Sequence, residues 1–310
     1  MKSKERLERL GPDWPHRKRS EIVQAGDTAF HIQRFGWNDG EDRPLVLLLH
    51  GSGASLHSFR DLAPLLAERT RVLAIDLPGH GASETPPSAG LSIEGMGKRL
   101  SLLLQRLDAK PDFVVGHSAG AALAIGATID GFIAPRAVVG LNAALQPMQG
   151  YAFFSPLAKL LFLNPFVPSV FARLSRRPGS AERLLASTGS TLDARGVDLY
   201  RRLFANVEHV YGSLGTMAAW DLERLQRRLP SLKVPLILVT ARDDGTVPAR
   251  DAPAHVDRVR DGRLISLESG GHLLHEVEPD RVAGIVCEVM AQIDSGFGSQ
   301  SDSRLAEGEC

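Results

Sequence analysis

The chain has 310 residues, 43% hydrophobic and 23% charged, and 36 Lys plus Arg balance 36 Asp plus Glu to a formal net charge of zero. That composition belongs to a soluble globular protein with a large core, at the upper length a single core supports. A neutral balance without a nucleic-acid motif excludes an electrostatic nucleic-acid binder, and no run is apolar and long enough for a membrane span.

The chain contains two cysteines, Cys287 and Cys310. They do not make a disulfide framework, and the charged N-terminus has no apolar segment resembling a signal peptide; both point to a reducing, cytoplasmic setting. Residues 1–19 are rich in Lys and Arg and read as a basic arm, solvated and partly disordered, with Trp14 pinning it at one point. Its charge suits peripheral contact with the inner face of a membrane, or an acidic partner.

From Glu21 to Phe35 the pattern breaks at Gly26-Asp27 and predicts a hairpin that opens the sheet. Leu45–Leu49 is a continuous apolar run, expected of a strand buried on both faces. It ends in His50-Gly51-Ser52-Gly53-Ala54-Ser55, before a helix expected from about Leu56 to Ala67. Such a glycine-rich turn can aim backbone N–H groups at a developing oxyanion. Neither a Gly-x-Gly-x-x-Gly pattern nor a Walker lysine marks it as a phosphate loop. A strand over Arg71–Ile75 runs into Asp76-Leu77-Pro78-Gly79-His80-Gly81, where Asp76 and His80 read as loop stabilisers. A helix is expected from about Leu91 to Leu107.

Phe113-Val114-Val115 then enters Gly116-His117-Ser118-Ala119-Gly120, and an Ala-rich helical pattern leaves it towards Ile129. Strand, Gly-x-Ser-x-Gly and helix in succession make a nucleophile elbow. The turn is tight enough to strain the Ser118 backbone, and glycine stands where a Cβ would collide. Arg136 to Leu141 reads as the sixth strand.

Residues 146–230 carry helical patterns and no strong strand pattern, so they read as a helical insertion. Its first part, Tyr151 to Leu174, is dense in Phe and Leu but broken by Pro156, Pro165 and Pro168. It reads as the insertion's own core or as the apolar wall of a pocket. Pro235–Thr240 resumes the strands, followed by Asp243-Asp244-Gly245-Thr246-Val247-Pro248 and a helix at about Ala249–Val259. A last strand, Arg263–Leu267, leads into Gly270-Gly271-His272, and a closing helix spans about Pro279–Ile293. The organisation expected is an arm (1–19), a core (20–145 and 231–294), an insertion (146–230) and a disordered tail (295–310).

Strands that alternate with helices imply a mostly parallel sheet, with ligands bound beyond the carboxyl ends of its strands. Ser52, Ser118, Asp244 and His272 follow four different strands at that end. A serine hydroxyl needs a base, histidine is the base poised near neutrality, and a carboxylate fixes the histidine tautomer. The chain order Ser118, Asp244, His272 is the order of α/β-hydrolase triads. No Cys/His cluster has metal-ligand spacing, and no cofactor is expected.

On these motifs the chain resembles the α/β-hydrolase fold superfamily over about Ser20 to Ile293. The resemblance implies an α/β fold with a mostly parallel central sheet flanked by helices, and a helical cap inserted after the sixth strand. It further implies Ser118 as nucleophile, His272 as base in preference to His275, and Asp244, three residues before Val-Pro, in preference to Asp243. The matching oxyanion donors are the backbone N–H groups of Ser52 and Ala119. Ser at the elbow argues against covalent-aspartate chemistry of the dehalogenase or epoxide-hydrolase type. His50, His117, Asn142, Phe153, Phe154, Phe162, Phe166 and Trp220 are the candidate pocket residues.

Asp13-Trp14-Pro15-His16-Arg17, Asp76 to Gly81, Gly116 to Ala121, Leu141 to Leu145, Ser187-Thr188-Gly189-Ser190 and Ala219 to Leu222 together resemble the BchO family. Those are α/β-hydrolase-fold proteins named as magnesium-chelatase accessory proteins of bacteriochlorophyll biosynthesis. The triad and oxyanion loop point to an esterase-like serine hydrolase acting on a large apolar ester, a tetrapyrrole among the candidates, and the resemblance implies a role near magnesium insertion into protoporphyrin, with magnesium-chelatase subunits as partners. The alternative is a non-catalytic porphyrin-binding or chaperone protein for magnesium insertion, since fold does not fix function.

Overall fold

The computed structural model describes residues 3–37, 43–146, 164 and 166–295. Eight strands form one sheet: β1 (Ser20–Ala25), β2 (Thr28–Phe35), β3 (Leu45–Leu49), β4 (Arg71–Ile75), β5 (Phe113–His117), β6 (Ala137–Leu141), β7 (Leu236–Ala241) and β8 (Gly262–Leu267). Their order is β1-β2-β4-β3-β5-β6-β7-β8. The hairpin β1–β2 turns at Gly26-Asp27 and joins β4 antiparallel, and all pairings from β4 to β8 are parallel.

The helices are α1 (Ser3–Arg9), α2 (Leu62–Ala67), α3 (Ile93–Arg106), α4 (Ala119–Ile129), α5 (Val167–Ser175) and α6 (Ser180–Ala186). Then follow α7 (Ala194–Phe204), α8 (Val207–Ala219), α9 (Leu222–Arg228), α10 (Ala252–Val256), α11 (Leu274–Val277) and α12 (Pro279–Asp294). The helix expected over Leu56–Ala67 is a 3-10 turn, Leu56–Phe59, followed by α2.

The apolar runs of β3, β5 and β6 are buried throughout because both faces of the sheet are covered. Successive side chains point to opposite faces. Leu45, Leu47 and Leu49 pack with Leu100 and Leu103 of α3 and the alanines of α4, whereas Val46 and Leu48 pack with Leu62 of α2 and Val286 of α12.

Between β6 and β7 the chain departs from the sheet and builds α5 to α9. The side chains of Asp193, Asn206 and Asp221 accept first-turn N–H groups of α7, α8 and α9, which divides this stretch into separate helices.

The N-terminal segment is pinned at Trp14 as expected, but it is more ordered than a loose arm. Residues Ser3–Arg9 are helical, and Leu10 and Trp14 are buried against Leu199 and Leu203 of α7. Arg202 closes the contact with a two-pronged pair to Asp13, at 2.7 and 2.6 Å. The apolar residues that make this happen lie on α7, far away in sequence, so charge density near the terminus misleads. The tail from 296 lies outside the described residues, and no helix of the described residues is long and apolar enough to cross a membrane.

Candidate active site

Ser118 stands between β5 and α4 with φ 49° and ψ −114°. For a residue with a Cβ, holding such a conformation costs on the order of 1–3 kcal/mol, so its surroundings must impose it. They do so by contact. A Cβ on Gly116 would lie 2.5 Å from the Ala121 backbone, and one on Gly120 would lie 2.0 Å from the Leu49 carbonyl oxygen. The Ser118 amide donates to Leu141 O at 2.9 Å, which ties the bend to β6.

His272 follows β8. Its Nδ1 lies 2.8 Å from Asp244 Oδ2, and the Asp244 side chain is fully buried. Asp244 Oδ1 accepts the amides of Thr246 at 2.7 Å and Val247 at 2.8 Å, so both carboxylate oxygens are engaged and the group is fixed in the turn before Val-Pro. With Nδ1–H given to the carboxylate, the lone pair of His272 is on Nε2. Neighbouring Asp243 points elsewhere and accepts the amides of Gly270 and Gly271 at 3.3 and 2.8 Å. It secures the loop rather than the imidazole.

Ser118 and His272 line one cavity of about 760 Å³, within the range of small-molecule sites. Ser52 and Ala119 line it too; Ala119 is the first residue of α4, where amides have no carbonyl four residues back. The insertion supplies apolar walls, among them Phe171, Leu185, Phe204, Met217 and Trp220.

The other proposed pocket residues separate into several groups. His117 lines the cavity; its Nε2 donates to the His272 carbonyl at 2.9 Å, and burial together with His275 and His272 keeps it neutral, well below the usual imidazole range. Trp220 is also a wall, held by Nε1 donating to Leu91 O at 2.8 Å. His50 does not face the cavity: buried, it donates to Gly51 O and accepts from Leu77 N, pinning the turn after β3. Asn142 lies behind the site, donating to the carbonyls of Gly271 and His272 at 2.8 and 3.0 Å and accepting Ala241 N. Phe166 is 75% exposed on the outer surface. Phe153, Phe154 and Phe162 lie outside the described residues.

His275 is buried between His117 and Phe59, and burial pushes it down to about 3. A second Asp–His pair, Asp76 with His31 at 2.6 Å, is fully buried and serves the loop after β4. Burial alone would raise the Asp76 carboxyl, but His31, His50 and the Leu56 amide hold it at about 2. Tyr200 on α7, which no sequence motif marks, is a cavity wall whose hydroxyl donates to Glu276 Oε1 at 2.6 Å while Arg60 pairs with the other oxygen. Its only local signal is the helical period of Leu199, Tyr200, Leu203 and Phe204. Among the described residues no cluster of three His, Cys, Asp or Glu side chains is placed to hold a metal ion.

A family model described as the alpha/beta hydrolase family matches residues 46–285. The chain is 37% identical over 281 residues to the magnesium-chelatase 30 kDa subunit of Rhodobacter capsulatus, covering 90% of this chain and 97% of that one. It is 25% identical to the uncharacterized hydrolase YugF of Bacillus subtilis, over 78% of this chain and 88% of the relative. Among solved structures it is similar to a thermophilic esterase from Thermogutta terrifontis, with TM-score 0.70 and 18% identity, covering 88% and 98% of the two chains. It is likewise similar to the haloalkane dehalogenase DbeA from Bradyrhizobium elkani, with TM-score 0.68 and 23% identity, covering 89% and 99%. At those identities the structural likeness is one of fold.

Proposed function

The chain belongs to the alpha/beta hydrolase family, and from that premise we propose that it is an esterase-like serine hydrolase in which Ser118 attacks, His272 is the base and Asp244 orients it. The observation that carries this reading is the Asp244–His272 pair and the strained Ser118, with serine and imidazole lining the same cavity.

In the proposed reaction His272 Nε2 takes the Ser118 proton as Oγ adds to the ester carbonyl. The oxyanion receives the backbone N–H groups of Ser52 and Ala119, and the first turn of α4 adds its favourable dipole. Collapse expels the alcohol, which leaves with the proton from His272. Water then repeats the sequence on the acyl-enzyme and releases the acid. The apolar walls from the insertion, acting as a cap, favour a large apolar ester. In this reading a tetrapyrrole is among the candidate esters and magnesium chelatase is the partner, a choice guided by the 37% identity to a protein named as a magnesium-chelatase subunit.

A fluorophosphonate probe tests the chemistry: wild type should label and Ser118→Ala should not. A well-folded wild type that stays unlabelled would sink the hydrolase reading. The name of that same relative favours a second reading, a porphyrin-binding accessory protein serving magnesium insertion. It requires porphyrin binding that survives Ser118→Ala without turnover in wild type, and a chelatase pull-down to match.

A further inference from the structure

The loop Ser187-Thr188-Gly189-Ser190 joins α6 to α7 within the insertion, yet the Thr188 carbonyl and the Ser190 hydroxyl bond to the core. The single carbonyl of Thr188 accepts two amides, Gly245 N at 3.1 Å and His272 N at 3.0 Å. One amide comes from the turn that carries Asp244 and the other from the loop that carries His272. A carbonyl oxygen has two lone pairs, and here each holds one of those two segments. Ser190 Oγ, itself buried, accepts Leu273 N at 2.8 Å and donates to Gly270 O at 3.2 Å. The backbone around His272 is therefore held at residues 270, 272 and 273 from the insertion side.

Steric fit is equally close. Gly189 has φ +79°, and a Cβ on it would lie 2.2 Å from the Asp243 carbonyl oxygen. A Cβ on Gly271 would lie 2.4 Å from both Gly189 C and Ser190 Oγ, and one on Gly245 would lie 2.6 Å from the Ser187 carbonyl oxygen. Three glycines thus allow three loops to meet backbone to backbone. Ser187 and Thr188 also line the cavity, so the loop that holds the pair faces whatever occupies the site.

We propose that this loop is a clamp that positions the Asp244–His272 pair, with Ser190 as its positioning residue; the inference rests on reading that pair as acid and base. Asp243 and Asn142 hold the His272 loop from the core, and Thr188 and Ser190 hold it from the insertion. The insertion cannot move away at this point without breaking the bonds that Thr188 and Ser190 make to the backbone of the two catalytic loops. Substrate fit against the cap is in this way linked to the geometry of the base.

The test uses the full-length protein as wild type, Ser190→Ala and the milder Ser190→Cys. Turnover of p-nitrophenyl octanoate should fall roughly 10- to 100-fold in kcat for Ser190→Ala, the scale of a slightly misplaced catalytic group, with KM little changed. The low-field proton resonance of the His272–Asp244 hydrogen bond, assigned by its loss in Asp244→Ala, should shift or broaden. Ser190→Cys should fall between. A folded Ser190→Ala with wild-type kcat and an unmoved resonance overturns the clamp. If Ser190→Ala does not fold, wild-type behaviour of Ser190→Cys by both readouts overturns it. If wild type neither turns over nor labels, the hydrolase reading fails on its own, and the resonance alone decides the clamp.

Discussion

Replacing Tyr200 with Phe removes one oxygen from the junction between the insertion and the core. The lost hydroxyl donates at 2.6 Å to Glu276, whose side chain is fully buried, and Arg60 is the carboxylate's other named partner. Burial pushes the Glu276 carboxyl up to about 7, against Arg60 and Tyr200, which both hold it down. Because its value in the folded protein lies above that of a free carboxyl, the associated stability is complete below about 4.5 and is lost as pH rises through about 7. Without the Tyr200 hydroxyl, Glu276 moves further up and the loss above pH 7 deepens. A hydrogen bond to the ionised carboxylate contributes about 1.5–3 kcal/mol, and one to the neutral acid about 0.5–1.5 kcal/mol. With a urea m-value of about 3 kcal/mol/M, the midpoint of Tyr200→Phe should fall by roughly 0.5–1 M at pH 8.5 and by about half that or less at pH 5.5. Urea unfolding followed by fluorescence at the two pH values measures it. A shift of equal size at both, or a larger one at pH 5.5, would refute the assignment of Glu276 as the titrating group.

The two Asp–His pairs should respond in opposite ways to the same change. Asp76→Asn breaks a buried pair and should destabilise the fold by about 3–5 kcal/mol, read by denaturant unfolding. Asp244→Asn should instead lower kcat on a p-nitrophenyl ester, roughly ten-thousandfold, by misorienting His272. Trp14→Ala should cost about 3–5 kcal/mol by vacating the contact with Leu199 and Leu203, seen as a lower melting temperature. An unchanged melting temperature would mean that the N-terminal segment contributes nothing to stability.

The central strands were legible because each is a short apolar run that ends in glycine or a polar turn, from Leu45–Leu49 to Leu236–Ala241. The elbow was legible because close approach excludes all but glycine at positions 116 and 120, a constraint written directly into the residues. Contacts between distant segments were not. Nothing around Trp14 announces Leu203, and nothing around Tyr200 announces Glu276. His50 and Asn142 follow strand ends, as Ser118 and His272 do, yet both turn back to satisfy backbone groups. Position along the chain places a residue at the correct end of the sheet but does not say which way its side chain points. The Asp243-Asp244 doublet illustrates the difference, since adjacent carboxylates hold a loop backbone and an imidazole respectively.

The burial of Trp14 has a consequence for synthesis. Part of its cover, Leu199 and Leu203, lies 185 and 189 residues further along the chain. At about 5–20 residues per second, the ribosome takes roughly 10–40 s to deliver α7 after the indole has emerged. During that interval the indole has its core neighbours, Ala82 and His57 among them, but lacks the α7 side of its cover. A nascent chain stalled before α7 has left the ribosome therefore keeps one side of Trp14 open to any chaperone or protease at hand, and one stalled after α7 has emerged can close it.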